Sequence, residues 1–332
     1  LALDEAAIAA EMARRAPGQN ALSTARKESD TVEIQSGFFN GFTTGTPLCA
    51  RIVNSDQHSK DYSILADKMR PGHADYAGHV RYQGFNDYRG GGHFSGRLTA
   101  PLVFAGAVAK QALAQYGIIV GSHILQINDI KEERFNPMGV SDAELAELHT
   151  KKFAVMDDAV GEKMQERILQ AKSELNSVGG VIEAIALHLP AGIGAPYFDS
   201  VESMLSHALF SVPAVKGVEF GDGFGFARLT GAEANDALHY VDGKVKALTN
   251  HNGGVTGGIT NGMPFVVRVA IKPTPSIARE QQTVSLKEQA DTTLAIVGRH
   301  DPCIVQRAVP VIEAVVAWTL WDLLLEAKKW EK

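Results

Sequence analysis

Residues 99–116 read TAPLVFAGAVAKQALAQY. The helix this stretch predicts is apolar nearly all round, so it must be buried on most sides. Thr99 lies near its start, Pro101 suits the first turn, and Gly117 follows its end. A long C-terminal helix is expected over 308–330, with lysines in its last turns that complement the dipole. Residues 157–180 form an amphipathic helix that stops at a Gly pair, and 200–212 a shorter one. The first 15 residues enter a helix almost at once, capped by Asp4, with Ile8 and Met12 on one face.

Between these lie strand-like segments rich in β-branched residues, at 117–128, 180–190, 214–221 and 263–273. Helix and strand alternate only loosely. Glu183 and His188 interrupt an apolar run, the pattern of an antiparallel strand with one wet face. The expected class is therefore α+β and layered, not doubly wound.

The chain has 332 residues and a formal charge of −6, which argues against a nucleic-acid partner. Its two cysteines, Cys49 and Cys303, lack metal-site spacing and make no disulfide framework, so a reducing cytosol is expected. The apolar run Ala314–Trp321 is broken by Asp322, short of the about 20 residues of a membrane span. No signal peptide is visible. The chain opens at Leu1 inside a helix, which suggests that an earlier segment is missing.

Four polar clusters mix turns with cations: RPGHADY (Arg70–Tyr76), YRGGGHFSGRLTA with Arg89, His93, Ser95 and Arg97, TNHNGGVTGGITNGMP (Thr249–Pro264), and KPTPS (Lys272–Ser276) with GRHDPC (Gly298–Cys303). In the second, glycines let backbone amides approach a ligand, the following helix start favours anions, and Arg97 offers a planar fork for phosphate or carboxylate. A Gly-rich turn with surface arginines is the competing reading. The third cluster lacks the spacing of a dinucleotide or P-loop site and reads as a hairpin or pair of turns. Lys272, at a strand end, either caps a carbonyl or faces a ligand. His73 either stabilises its turn or moves a proton near neutrality. Asp301 reads as a surface ion pair with His300 and Arg299, or as a carboxylate held ionised by the Arg. Spread from Arg70 to Cys303, the clusters point to one catalytic unit made from the whole chain, although length alone suggests about two domains.

These motifs, with AVKGVEFGDGF and RAVP, occur in an order that resembles the chorismate synthase family across essentially the whole chain. The resemblance implies a β-α-β sandwich with long central helices between antiparallel sheets, one domain over 1–332, and a homotetramer. It implies a 1,4-anti elimination of phosphate from 5-enolpyruvylshikimate 3-phosphate, the last step of the shikimate pathway. The reaction gives chorismate without net redox change, yet uses reduced FMN, with NADPH as reductant through a separate flavin reductase. A cytoplasmic enzyme with no membrane or nucleic-acid partner is expected, and no metal.

By the same resemblance, Arg15, Arg97 and Arg299 hold substrate or cofactor anions. His93, Phe94, Ser95, Pro213, Ala214, Gly257, Lys272, Pro273, Thr274, Pro275, Ser276 and Arg299 fall on flavin-contacting positions. His73 corresponds to a proton-transferring histidine, and Asp301 to a carboxylate that assists deprotonation of the flavin. Reduced flavin feeds electron density to the allylic system as phosphate departs. The sequence also departs from the family. Many relatives have Arg-Ser-Ser where His93, Phe94 and Ser95 stand, some have Asn at Pro213, and Ala21 replaces a common Arg. The family's N-terminal strand and Gly-Glu-Ser-His-Gly segment have no counterpart here. A truncated, non-catalytic flavin or phosphoester binder, a flavin-dependent oxidoreductase and a plain α+β scaffold are the rival readings.

Overall fold

The apolar helix runs over Thr99–Ala114 and lies against a C-terminal helix, Val305–Lys328. In the computed structural model, residues 1–18, 20, 22–24, 28–54, 64–296 and 300–329 are described. Among these the helices are α1 (Glu5–Arg15), α2 (Asp75–Arg81), α3 (Thr99–Ala114), α4 (Asp142–Thr150), α5 (Asp158–Ser173), α6 (Val201–Phe210), the single turn α7 (Gly231–Ala234) and α8 (Val305–Lys328). The strands are β1 (Val32–Ser36), β2 (Phe38–Phe39), β3 (Phe42–Thr43), β4 (Cys49–Ile52), β5 (Ile119–Ile127), β6 (Ile130–Lys131), β7 (Gly180–Leu187) and β8 (Val215–Phe220). They continue with β9 (Leu238–Val241), β10 (Lys244–Ala247), β11 (Val255–Thr256), β12 (Ile259–Thr260), β13 (Phe265–Ile271), β14 (Gln281–Ser285) and β15 (Ala290–Leu294).

The main sheet has five strands in the order β6-β5-β7-β13-β8, and every pairing is antiparallel. Side chains alternate along β7. Ile182, Ala184 and Ala186 face the core that holds α3 and α8, while Ile185 and Leu187 join a second cluster with Phe135, Leu145 and Leu148. The small antiparallel pair β1–β4 adds Val32, Ile34, Ala50 and Ile52 to the helix-containing core. The layered α+β arrangement expected from the sequence is therefore present.

The expected wet face of β7 is not. Glu183 is 1% exposed, because the loop carrying Phe135 and helix α4 cover that side. Its charge is paired across the sheet. Glu183 sits in register with His123 of β5 and Arg268 of β13. It accepts from Arg268 Nη1 at 3.1 Å and from the Phe135 amide at 2.7 Å, and it lies 3.1 Å from His123 Nε2. Burial opposes charging His123, but Glu132 and Glu183 on its two nitrogens outweigh this and hold its pKa up. His188, by contrast, is exposed just past the strand, 2.8 Å from Asp142.

Helix α8 runs through Asp322, as the helix expected over 308–330 does, but its 24 residues are long and apolar enough by length and composition to cross a membrane, which the short run Ala314–Trp321 did not suggest. Most of its apolar window is buried in this fold, against α3, α6 and the sheet. Glu313, at its middle, accepts from Arg14 (2.7 and 2.9 Å), Lys110 (2.5 Å) and Ser122 (2.9 Å). A buried carboxylate is tolerable only with such partners. Trp318 and Trp321 are half-buried against the same core.

Helices α3 and α8 touch where Gly106 meets Ala314. A Cβ at Gly106 would come within 2.3 Å of the Ala314 backbone Cα. Gly106→Ala gains roughly 1 kcal/mol of helix propensity, but overpacking costs about 1–3 kcal/mol or more, and backbone cannot yield as a side-chain tip does. We expect a net loss of stability, measured as a lower denaturation midpoint with an unchanged m-value.

Candidate active site

A cavity of about 560 Å³ opens where α1 ends and where α3 and α8 begin. The segment between α6 and β8 and the segment after β13 close its other walls. Among the described residues, six arginines and lysines line it: Arg15, Arg70, Arg97, Lys216, Lys272 and Arg307, against the carboxylates Glu28 and Asp301. A chain of net charge −6 thus concentrates cations here. Charge of one sign in a low-dielectric cleft draws anions.

The turn at 70–75 is the most heavily bonded wall. Arg70 is buried and donates from Nε (2.7 Å) and Nη2 (2.8 Å) to the Asp75 carboxylate, and from Nη1 to Ser276 Oγ at 3.1 Å. It thereby ties this turn to the segment after β13. Burial disfavours the Asp75 carboxylate, yet the bonds from Arg70 and His73 outweigh it and hold its pKa well below the usual range. His73 Nδ1 lies 2.7 Å from Asp75 Oδ1.

Residues 89–94 form a 3-10 turn in front of α3. Gly91 has φ +84°, which a side chain rarely adopts. At Gly92 an added Cβ would meet the Asp87 carbonyl at 2.4 Å. Ser95 Oγ accepts from the Arg97 amide at 3.3 Å and so caps the next short turn. The Phe94 ring packs on α2, where a Cβ at Gly78 would approach it to 2.6 Å, and lies tilted against Tyr82 at 6.5 Å. Phe94 holds this loop against α2.

Lys272 caps the Gly72 carbonyl through Nζ, as one reading of it expects, and it also lines the cavity. Partial burial and the nearby Lys216 lower its pKa. Its own amide bonds to Ala214, whose φ of +75° marks the tight entry to β8. Arg15 is 2% exposed and paired with Asp30 at 2.5–2.8 Å. Burial, then the charge of Arg307, lowers its pKa against the pull of Asp30. Asp301 accepts from the Thr24 amide at 2.7 Å and from Arg307 Nη1 at 2.6 Å. Among the described residues, Arg307 is a cationic partner of Asp301.

Of the residues expected from the sequence, His73, Asp301, Arg15, Arg97, His93, Phe94, Ser95, Pro213, Ala214, Lys272, Thr274, Pro275 and Ser276 all line this one cavity. Arg299 and Ala21 lie outside the described residues. Pro273 is not on the cavity wall. Gly257 is not either: it sits at the turn of the β11–β12 hairpin, whose neighbour Gly258 packs on Ser200. Sequence reasoning assigned no role to Arg70, Asp75, Lys216 or Arg307, although each sits inside a quoted motif. Nothing in the sequence singles out Glu28.

A profile of the family described as chorismate synthase matches residues 1–325. The chain belongs to the chorismate synthase family. It is 46% identical to the chorismate synthase of Pyrococcus abyssi over 97% of this chain and 88% of that one. Identity to the Thermococcus gammatolerans chorismate synthase is 47% at the same coverage. For the Dehalococcoides mccartyi chorismate synthase it is 45% over 98% of this chain and 89% of the relative. A chorismate synthase crystal structure superposes with a TM-score of 0.74 at 29% identity, covering 98% of this chain and 84% of that one. The chorismate synthase fold therefore accounts for the layered architecture that brings these motifs together.

Inorganic phosphate is expected to bind this cavity and raise Tm. At tenfold excess over Kd the stabilisation is about 1.4 kcal/mol. The rise, read by scanning fluorimetry, should vanish in an Arg97→Ala, Lys272→Ala double variant.

Proposed function

We propose that this cavity carries out the chorismate synthase reaction on 5-enolpyruvylshikimate 3-phosphate, with reduced FMN bound beside the substrate. The observation that carries this reading is the convergence of family motifs from Arg15 to Arg307 on one cation-lined cavity. The substrate bears a phosphate and two carboxylates, and FMN adds a further phosphate. Arginine forks and lysines suit these groups by charge-assisted hydrogen bonds.

The residues present fit a flavin nucleotide. Thr274 Oγ1 is buried on the cavity wall and has no hydrogen-bond partner among the described residues. An unpaired buried hydroxyl costs about 1–3 kcal/mol, so a polar ligand atom belongs against it. Lys272, Thr274, Ser276, Ser95 and the backbone at 213–214 would hold the cofactor. Reduced FMN, when bound, supplies electron density to the allylic system of the substrate. The chain itself binds the anions through Arg15, Arg97, Lys216 and Arg307, and presents the His73 imidazole for proton transfer. Asp301, pinned by Thr24 and Arg307, would be the carboxylate beside the cofactor.

In the elimination one ester C–O bond breaks, one ring proton leaves and one C=C bond forms. No electrons are gained or lost overall, so the flavin is not consumed. On family resemblance the reading extends to one catalytic domain in a cytoplasmic homotetramer without membrane or nucleic-acid partners. NADPH would then reduce FMN through a separate flavin reductase. A non-catalytic binder is not favoured, because the family match runs over residues 1–325.

An anaerobic assay with dithionite-reduced FMN, following chorismate absorbance, tests the reading. Chorismate should accumulate over many turnovers with the flavin still reduced; an oxidoreductase would oxidise one FMN per turnover. His73→Ala should lower kcat about 10²–10⁴-fold while FMN affinity changes little. Equal activity at every pH would remove His73 from the mechanism.

A further inference from the structure

The two carboxylates on the described cavity wall, Glu28 and Asp301, are bonded differently. Asp301 accepts from the Thr24 amide and from Arg307. Glu28 is 8% exposed, and its buried Oε1 has no hydrogen-bond partner among the described residues. Arg97 Nη1 stands 3.9 Å from that oxygen. That distance keeps an attraction but lies beyond the roughly 2.7–2.9 Å of a charge-assisted hydrogen bond. Arg15 also acts on Glu28 by its charge, yet its Nε and Nη2 donate to Asp30 and its Nη1 to Thr99 Oγ1. The Thr99 hydroxyl in turn donates to the Gly96 carbonyl. A carboxylate taken out of water without a hydrogen-bond donor is costly. Glu28 lines the cavity, so a bound ligand can bring the donor.

Charge restricts what that donor is. A phosphate or carboxylate is drawn by the surrounding cations but is repelled by Glu28 and offers it no proton. An amine suits Glu28 but meets Arg97 and Arg15. A neutral alcohol set between anionic groups satisfies both. The substrate of the proposed reaction has this pattern. Its ring keeps one free hydroxyl, on the carbon between the one that bears the phosphate and the one that bears the enolpyruvyl group with its carboxylate. The wall carries the complementary set, a carboxylate beside two arginines.

We infer that Glu28 is a substrate-binding residue that accepts a hydrogen bond from this ring hydroxyl and so selects ligands with an alcohol between two anions. The inference deepens the elimination reading and rests on it for the identity of the substrate. In this role Glu28 takes no proton and breaks no bond; it fixes which way round the ring lies between the anion contacts.

Affinities are measured by titration calorimetry with oxidised FMN present, so that no turnover intervenes. The ligands are the substrate and a deoxy analogue in which hydrogen replaces the ring hydroxyl. A hydrogen bond to a charged group is worth about 10–100-fold in affinity, and wild type should bind the deoxy analogue more weakly by that factor. In Glu28→Leu the two ligands should bind within about twofold of each other, with the affinity for FMN alone unchanged. Equal affinity of wild type for both ligands overturns the inference. So does discrimination that survives in Glu28→Leu, which would leave Glu28 as a counter-charge to Arg97. Lost FMN affinity with intact substrate discrimination would place the bonded alcohol on the ribityl chain, and overturns it too. Should Glu28→Leu fail to fold, Glu28→Gln keeps the shape with a weaker, neutral acceptor, and the discrimination should fall severalfold; an unchanged ratio in folded Glu28→Gln counts against the inference.

Turnover is read separately. Discrimination by a wild type that forms no chorismate sinks the elimination reading and leaves the hydroxyl contact standing. Chorismate formation with equal affinity for both ligands does the reverse, and no binding of either ligand overturns both.

Discussion

The crossing of α3 and α8 at Gly106 and Ala314 sets the geometry on which the rest depends. With no side chain between them, the two backbones approach closely, and both helices deliver their first turns to the same cavity. Arg97 and Thr99 come from one start, and Ile304, Arg307 and Ala308 from the other. Each fully buried aliphatic side chain along the pair adds about 1.5–3 kcal/mol, so the crossing is held by many contacts and not by a single bond. The cavity is a consequence of where these two helices begin.

Charge is sorted by the same packing. Behind the cavity, Arg14, Lys110, Glu11 and Glu313 form a paired cluster between α1, α3 and α8. Across the sheet, His123, Glu183, Arg268 and Glu219 form a paired row in strand register. These buried charges are matched because an unmatched one would cost several kcal/mol. In the cavity the balance is different: among the described wall residues six arginines and lysines stand against two carboxylates. Arg15, Arg70 and Arg307 are themselves paired with Asp30, Asp75 and Asp301, so the pull on anions comes from the summed charge of the wall.

Much of this was legible beforehand. The helix at 99–114 announced its burial by lacking a polar face, and Asp4 does cap α1 as its side chain predicts. The motif residues that share a cavity were recognisable by type and order. One misreading has a physical cause. Glu183 looked solvent-facing because a lone polar residue in an apolar strand usually is, and its partners lie 60 and 85 residues away. Arg307, which the sequence reading left without a role, reaches Asp301 from the first turn of α8.

The sequence by itself determined the element types, the layered class and the stock of anion-binding and proton-moving groups, because periodicity, caps and residue chemistry are local properties. Tertiary structure decided which of those groups meet. It turned the Phe94 ring onto α2, left Gly257 on a hairpin off the cavity wall, and set Ser276 against Arg70 across 206 residues. The physical reason is that an ion pair or a close backbone contact is fixed by distance and burial, and the chain order of two residues states neither.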